Sequence, residues 1–169
     1  MIQIIQANST HINGIIKVCS NGYRATYKDL YTKEYIESVI SDFYNVARVS
    51  AEVETRNRQW GGYFVAVDNE RVIGAGGGGL TGEGIGEIFV LYLDPARKNE
   101  GIGTKLLHAI TKQQKEIYGV KEQWVSVQKG NRMGIPFYEA KGFVLQHEQK
   151  GWYNKGQDEY KTLRYARDI

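Results

Sequence analysis

The sequence predicts a single-domain α/β fold, and three observations carry the prediction. Residues Ile85 to Leu93 are a nearly continuous apolar run of strand length, the pattern of a central strand covered on both faces. A Gly101-Ile102-Gly103 turn follows and opens into a helix whose Ile102, Leu106, Ala109, Ile110 and Ile117 form one stripe, ending near Gly119. Around this unit, segments of strand period and helix period alternate. With 169 residues, 41% of them hydrophobic, the chain can bury one good core and is too short for two domains, so one domain spans 1–169.

Each element has its own local reason. Ile at alternating positions makes Met1 to Ala7 a first strand, and Asn8-Ser9-Thr10 supplies side-chain acceptors for the first free N–H groups of a helix. Ile12, Ile15, Ile16, Cys19 and Tyr23 then recur at helical spacing. A second helix, about 32–44, repeats the pattern with Tyr35, Ile36, Val39, Ile40 and Phe43. Tyr63 to Val67 and Val72 to Leu80 are strands joined by the turn Asp68-Asn69-Glu70-Arg71. After the central unit, Gln123 to Val127 is a strand, a short helix follows, and Phe143 to Gln149 and Tyr160 to Ala166 close the chain as two strands around a polar loop. Four consecutive glycines, Gly76 to Gly79, sit inside a strand. They mark either a bulged, loosely packed hairpin arm or a place where a substrate or another backbone comes close.

Composition excludes several classes of function. The net charge of +3 comes from scattered residues with no Lys/Arg run, so nucleic acid is not an expected partner. The lone Cys19 rules out an intrachain disulfide framework, and its place on an apolar helical face predicts an inert thiol. No apolar run is long enough for a signal peptide or membrane span, so the expected location is cytoplasmic, away from membranes. His11, His108 and His147 lack metal-ligand spacing, and no metal is expected. No G-x-S-x-G elbow or GK[ST] phosphate loop is present, and Leu106 occupies the last Gly/Ala place of a G-x-G-x-x-G pattern.

Two blocks carry chemistry. The first, Asp94-Pro-Ala-Arg-Lys98-Asn99-Glu100-Gly101-Ile102-Gly103-Thr104, ends a strand and starts a helix through residues without Cβ atoms. Successive N–H groups there converge at a helix N-terminus that carries about half a positive charge, which makes an anion cradle suited to phosphate. The second block is Asn131-Arg-Met-Gly-Ile-Pro-Phe-Tyr138-Glu-Ala-Lys-Gly-Phe143.

In this order and spacing the two blocks resemble those of the GCN5-related N-acetyltransferase superfamily, R/Q-x-x-G-x-G/A opening a helix and N-x-x-A-x-x-F-Y-x-x-x-G-F. Lys98 stands in the Arg/Gln place, Asn99 where Gly is common, Gly134 in the Ala place, and Pro136 and Glu100 are further departures. The resemblance implies a central, twisted mixed sheet flanked by helices, with acetyl-CoA as donor held by residues 98–104. It also implies that backbone groups of Leu91, Tyr92 and Leu93 meet the pantetheine arm and the acyl carbonyl. Tyr138 takes the place of the residue that protonates the leaving thiolate in many relatives, with a core aromatic as the other reading. Asn131 either bonds the cofactor arm or caps its own helix.

The implied reaction is direct acetyl transfer to a primary amine of a small molecule or peptide. A phenol near 10 and a thiol near 8.5 differ by about 1.5 units, so protonation of the thiolate costs about 2 kcal/mol. Neutralising a Lys-like amine at pH 7 costs about 4.6 kcal/mol. Glu87, a carboxylate entering an apolar strand, is the candidate base or proton relay, and a solvated strand end is the alternative. Tyr23, Tyr27, Tyr31 and Tyr35, four apart, form either a core stripe or an aromatic wall for the acceptor, with Trp60 and Trp152 as further candidates. A non-catalytic acyl-CoA sensor or interaction module is the rival function, and edge strands near the C-terminus allow a homodimer.

Overall fold

The computed structural model describes residues 1–169. One seven-stranded sheet runs through it in the order β1-β2-β3-β4-β5-β7-β6. The strands are β1 (Gln3–Gln6), β2 (Phe64–Asp68), β3 (Arg71–Gly82), β4 (Ile85–Leu93), β5 (Glu122–Gln128), β6 (Val144–Lys150) and β7 (Lys161–Asp168). Neighbours are antiparallel except β4 and β5, which are parallel. The helices are α1 (Ile12–Tyr27), α2 (Lys33–Phe43), α3 (Val46–Glu54), α4 (Ile102–Lys112) and α5 (Gly134–Ala140).

Strand alternation assigns the helices to faces. Val65 and Ala75 pack with Ile15, Val18 and Cys19 of α1 on one side. Ala66 and Ile73 pack with Ile102 and Leu106 of α4 on the other, each fully buried aliphatic side chain contributing about 1.5–3 kcal/mol. Caps start the helices where short polar residues stand: Asn8 caps a 3₁₀ turn, Ser9–His11, leading into α1, and Thr32 caps α2. Sequence reading missed α3, a nine-residue helix that Asn45 caps through the N–H of Arg48. Its apolar stripe is only Val49 and Val53 deep, too short for periodicity to register.

Three expectations are corrected. Ile117 is 68% exposed and not part of the α4 stripe, because α4 passes at Gln113–Ile117 into a π-helical turn that rotates the face and buries Gln114 instead. β4 is not covered on both faces throughout: Phe89 is 47% exposed, and Val90 to Leu93 are half-buried. The glycine run is bulged but not loosely packed. All four residues are buried, and Gly61 N–H donates to the Gly78 carbonyl while Leu80 N–H donates to the Arg58 carbonyl. A Cβ on Gly79 would strike the Gln59 carbonyl, and one on Gly77 would lie 2.5 Å from the Trp60 ring. Another backbone approaches here, the second of the two readings.

The same region shapes the site. Opposite the glycines, Gly77 pairs with Val90 and Gly78 with Ile88, which leaves Phe89 as the extra residue of a β-bulge. The β4–β5 register runs only from Ile85↔Glu122 to Ile88↔Val125, although both strands continue. Beyond that point the sheet opens. No helix is long and apolar enough to cross a membrane, and no cluster of three or more His, Cys, Asp or Glu side chains is arranged to hold a metal ion.

Candidate active site

A cavity of about 680 Å³ fills the opening between β4 and β5. It is lined by the glycine turn, by the α1 residues Ala25, Thr26 and Tyr27, by Phe89 and Ser126 of the two parted strands, and by Tyr138. All of Leu91, Tyr92, Leu93, Lys98, Asn99, Glu100, Gly101, Ile102, Gly103, Thr104, Asn131 and Tyr138 line it, so residues distant in sequence come together around one cavity.

The turn has the conformation an anion site needs. Asn99 (φ 63°) and Gly101 (φ 77°) are left-handed, a state open to Gly and tolerated by Asn. None of the backbone N–H groups from Lys98 to Thr104 has an acceptor within the protein. A row of unsatisfied donors at the start of α4 fits a pyrophosphate in geometry and in sign. Glu100, a departure from the motif, is held by Arg97, whose guanidinium donates to both its oxygens at 2.6 and 2.9 Å and to Asp68 at 2.9 Å. These contacts hold the Glu100 and Asp68 carboxyls below their ordinary range. Arg97 was not singled out from sequence, although it lies inside the motif.

Tyr138 is both a core aromatic, against Phe137 and Phe143, and a cavity residue. Burial first, and nearby Tyr27 second, push its phenol well above the ordinary value, so it stays protonated, and no hydrogen bond from the protein contributes. The Asn131 Oδ1 accepts from the N–H groups of Met133 and Gly134 at 3.1 and 2.8 Å, the helix-start role. A Cβ at Gly134 would come 2.7 Å from its Nδ2, which explains glycine in the Ala place.

Glu87 meets an ion pair instead of open solvent. Arg164 Nη2 and Nη1 donate to its two oxygens at 2.8 Å each, the side chains are only 13% and 17% exposed, and Glu87 is not among the cavity-lining residues. The tyrosine stripe is mainly core: Tyr23 and Tyr35 are buried with Ile36, Val39 and Ile40. Tyr27 alone of the four lines the cavity, its hydroxyl 3.2 Å from that of Tyr92. Trp60 packs over Gly77 and donates its indole N–H to the Glu52 carbonyl, and Trp152 is exposed beside Phe43. Neither reaches the cavity. Phe89 and Ser126 do, and sequence reading missed both, because only the three-dimensional parting of β4 and β5 distinguishes them from ordinary strand residues.

Comparison with known proteins agrees with this geometry. The spermidine N(1)-acetyltransferase of Thermoplasma acidophilum is 27% identical over 146 residues, 86% of this chain and 89% of that protein. The N-alpha-acetyltransferase of Sulfurisphaera tokodaii is 37% identical over 60 residues, 36% of each chain. The crystal structure of the PaiA N-acetyltransferase from Thermoplasma acidophilum, in complex with coenzyme A, superposes with a TM-score of 0.82 at 23% identity and covers 100% of this chain and 99% of that one. Residues 25–143 match the model of the acetyltransferase (GNAT) family. With cradle, cavity and fold in agreement, the chain belongs to the acetyltransferase (GNAT) family.

Proposed function

We propose that the protein transfers an acetyl group from acetyl-CoA directly to a primary amine inside the β4–β5 cavity. The observation that carries this is the row of free N–H groups from Lys98 to Thr104 at one end of a cavity whose wall is Tyr138. The N–H groups and Lys98 hold the pyrophosphate, while the edge of β4 from Leu91 to Leu93, unpaired on the β5 side, offers backbone groups to the pantetheine arm and the acyl carbonyl. The coenzyme A complex of the PaiA structure supports that reading.

In the reaction the amine nitrogen attacks the thioester carbonyl carbon. A C–N bond forms, the C–S bond breaks, the amine loses a proton and the thiolate gains one. Tyr138, kept neutral by burial, donates a hydrogen bond to the departing sulfur and passes it the proton, which water then restores. Because burial raises the phenol, the transfer costs more than the figure of about 2 kcal/mol for the free groups, and the hydrogen bond to the sulfur must offset the difference. Asn131 anchors the α5 start that carries Tyr138. Glu87 stays bound in its pair with Arg164 beside Ser126 and takes no proton from the acceptor, so the amine gives its proton to water. The acceptor is a small-molecule or peptide amine; of the two relatives, one is named for spermidine and the other for an N-alpha position. The protein acts in the cytoplasm.

The test is thiol release from acetyl-CoA with a panel of amines, each product identified by mass spectrometry. Release should require both an amine and an intact Tyr138. Tight acetyl-CoA binding with no transfer to any amine would replace the enzyme with an acyl-CoA sensor.

A further inference from the structure

Resting on that reading, we propose that the acceptor is an α-amine, free or at a peptide N-terminus, and that Arg164 selects it by withholding Glu87 from the acceptor. Four observations support this. Both Glu87 oxygens accept from Arg164 at 2.8 Å, and the same guanidinium donates at 2.6 Å to Ser126 Oγ, which lines the cavity. Arg164 is also fixed from below, its guanidinium carbon 5.1 Å from the centre of the Trp124 ring. The charged residues lining the cavity are Arg97, Lys98 and Glu100, all in the cofactor loop, with Glu100 paired to Arg97. The lining outside that loop is uncharged, including Ala25, Thr26, Tyr27, Phe89 and Ser126, which we assign to the acceptor end.

The remaining titratable groups offer no base to this end. Glu122 on β5 accepts the Trp124 indole N–H, and His147 on β6 faces Gln149, both in a separate shallow groove behind Arg164. Tyr27, Tyr92 and Tyr138 are kept protonated by burial. An amine must therefore reach the thioester already neutral. At pH 7 an α-amine of pKa about 7.8 is about 14% neutral and an alkylamine of pKa about 10.4 about 0.04%, an advantage of about 300-fold in reactive species. The second ammonium of a polyamine would also find no unpaired carboxylate in the cavity.

The experiment measures kcat/KM for glycinamide, a tripeptide with a free N-terminus, n-propylamine and 1,4-diaminobutane from pH 7 to 9.5, with acetyl-CoA binding measured in parallel. The two α-amines should exceed the alkylamines by at least about tenfold at pH 7, part of the free-amine advantage being offset by the greater nucleophilicity of the more basic amine. The alkylamine values should rise about tenfold per pH unit, because only neutral amine reacts. The ratio of glycinamide to tripeptide decides between a free and a peptide-borne α-amine. Arg164→Met, which leaves Glu87 unpaired, should flatten the alkylamine profile and improve 1,4-diaminobutane relative to glycinamide by about tenfold. Should that variant fail to fold, Glu87→Gln should keep the wild-type slope.

A flat wild-type alkylamine profile, or diaminobutane equal to glycinamide at pH 7, overturns the inference and leaves acetyl transfer standing. So does a folded Arg164→Met protein with unchanged ratios, or a Glu87→Gln protein with a lost slope. Bound acetyl-CoA with no transfer to any of the four overturns the function itself.

Discussion

At the scale of residues, the cofactor loop depends on two devices that do different work. Gly101 supplies a left-handed turn, and a Cβ there would meet nothing within 4 Å, so the cost of replacing it is conformational and not a clash inside the protein. Gly101→Val should cost about 1–2 kcal/mol through the backbone and weaken acetyl-CoA binding by about tenfold or more in calorimetry, since the N–H groups would no longer converge. Unchanged affinity would remove the loop from the site. Arg97 supplies charge control. Arg97→Ala should weaken acetyl-CoA by releasing the Glu100 carboxylate toward the phosphates, and adding Glu100→Gln should restore part of the loss. The carboxyls of Glu100 and Asp68 are lowered. The order they give the loop is therefore fully present above the ordinary carboxylate values and is lost only as pH falls through the lowered ones; acetyl-CoA affinity should hold from neutral pH down through the ordinary carboxylate range and drop only below it. Tyr138→Phe keeps the ring packed against Phe137 and Phe143 and removes the donor. Its kcat should fall by about 10²-fold with little change in melting temperature, whereas a loss of stability with turnover intact would make Tyr138 a core residue only. Gly101 and Tyr138 were legible as candidates in the sequence because each sits in a motif with fixed spacing. Arg97 and Arg164 were not, since a surface arginine and a partner-holding arginine look alike until the carboxylates they meet, 3 and 77 positions away, are in view.

At the scale of elements, the opening of the sheet rests on β4 and the residues that accommodate its bulge. Gln114, turned inward by the π-helical turn, donates to the Glu87 carbonyl at 2.9 Å and accepts from Gln123 at 3.0 Å. Gly78 and Gly86 leave room for it, a Cβ on either running into its side-chain amide. Gly78→Ala would also strike the Glu87 carbonyl, so it should cost about 1–3 kcal/mol in denaturant unfolding and disturb acetyl-CoA binding by shifting the bulge. Gly82→Ala, whose Cβ would find no atom nearer than 3.7 Å, should stay within about 0.5 kcal/mol of wild type. Equal effects at the two positions would contradict this view of the glycine run. Strands and long helices were legible from apolar period alone. The π-helical turn was not, because Ile117 continues a perfectly good α-helical stripe in sequence, and only the buried amide network around Gln114 makes the chain prefer the rotated face.

At the scale of the whole molecule, a seven-stranded sheet with one parallel pair that parts after Ile88 and Val125 joins the cofactor loop on the α4 side to the tyrosine-lined end beside α1. The existence of such a site was legible from two motifs, because the chemistry of a phosphate cradle and a phenol constrains residue type and spacing. The character of its acceptor end was not, because that end is assembled from single residues of α1, β4 and β5. The most direct test of the central claim is a crystal structure of the protein with coenzyme A. The pyrophosphate should accept hydrogen bonds from N–H groups within 98–104, and the sulfur should lie within hydrogen-bond reach of the Tyr138 hydroxyl, between the parted β4 and β5. Coenzyme A bound with its thiol outside that opening, or with its phosphates away from the Gly101 turn, would contradict the account.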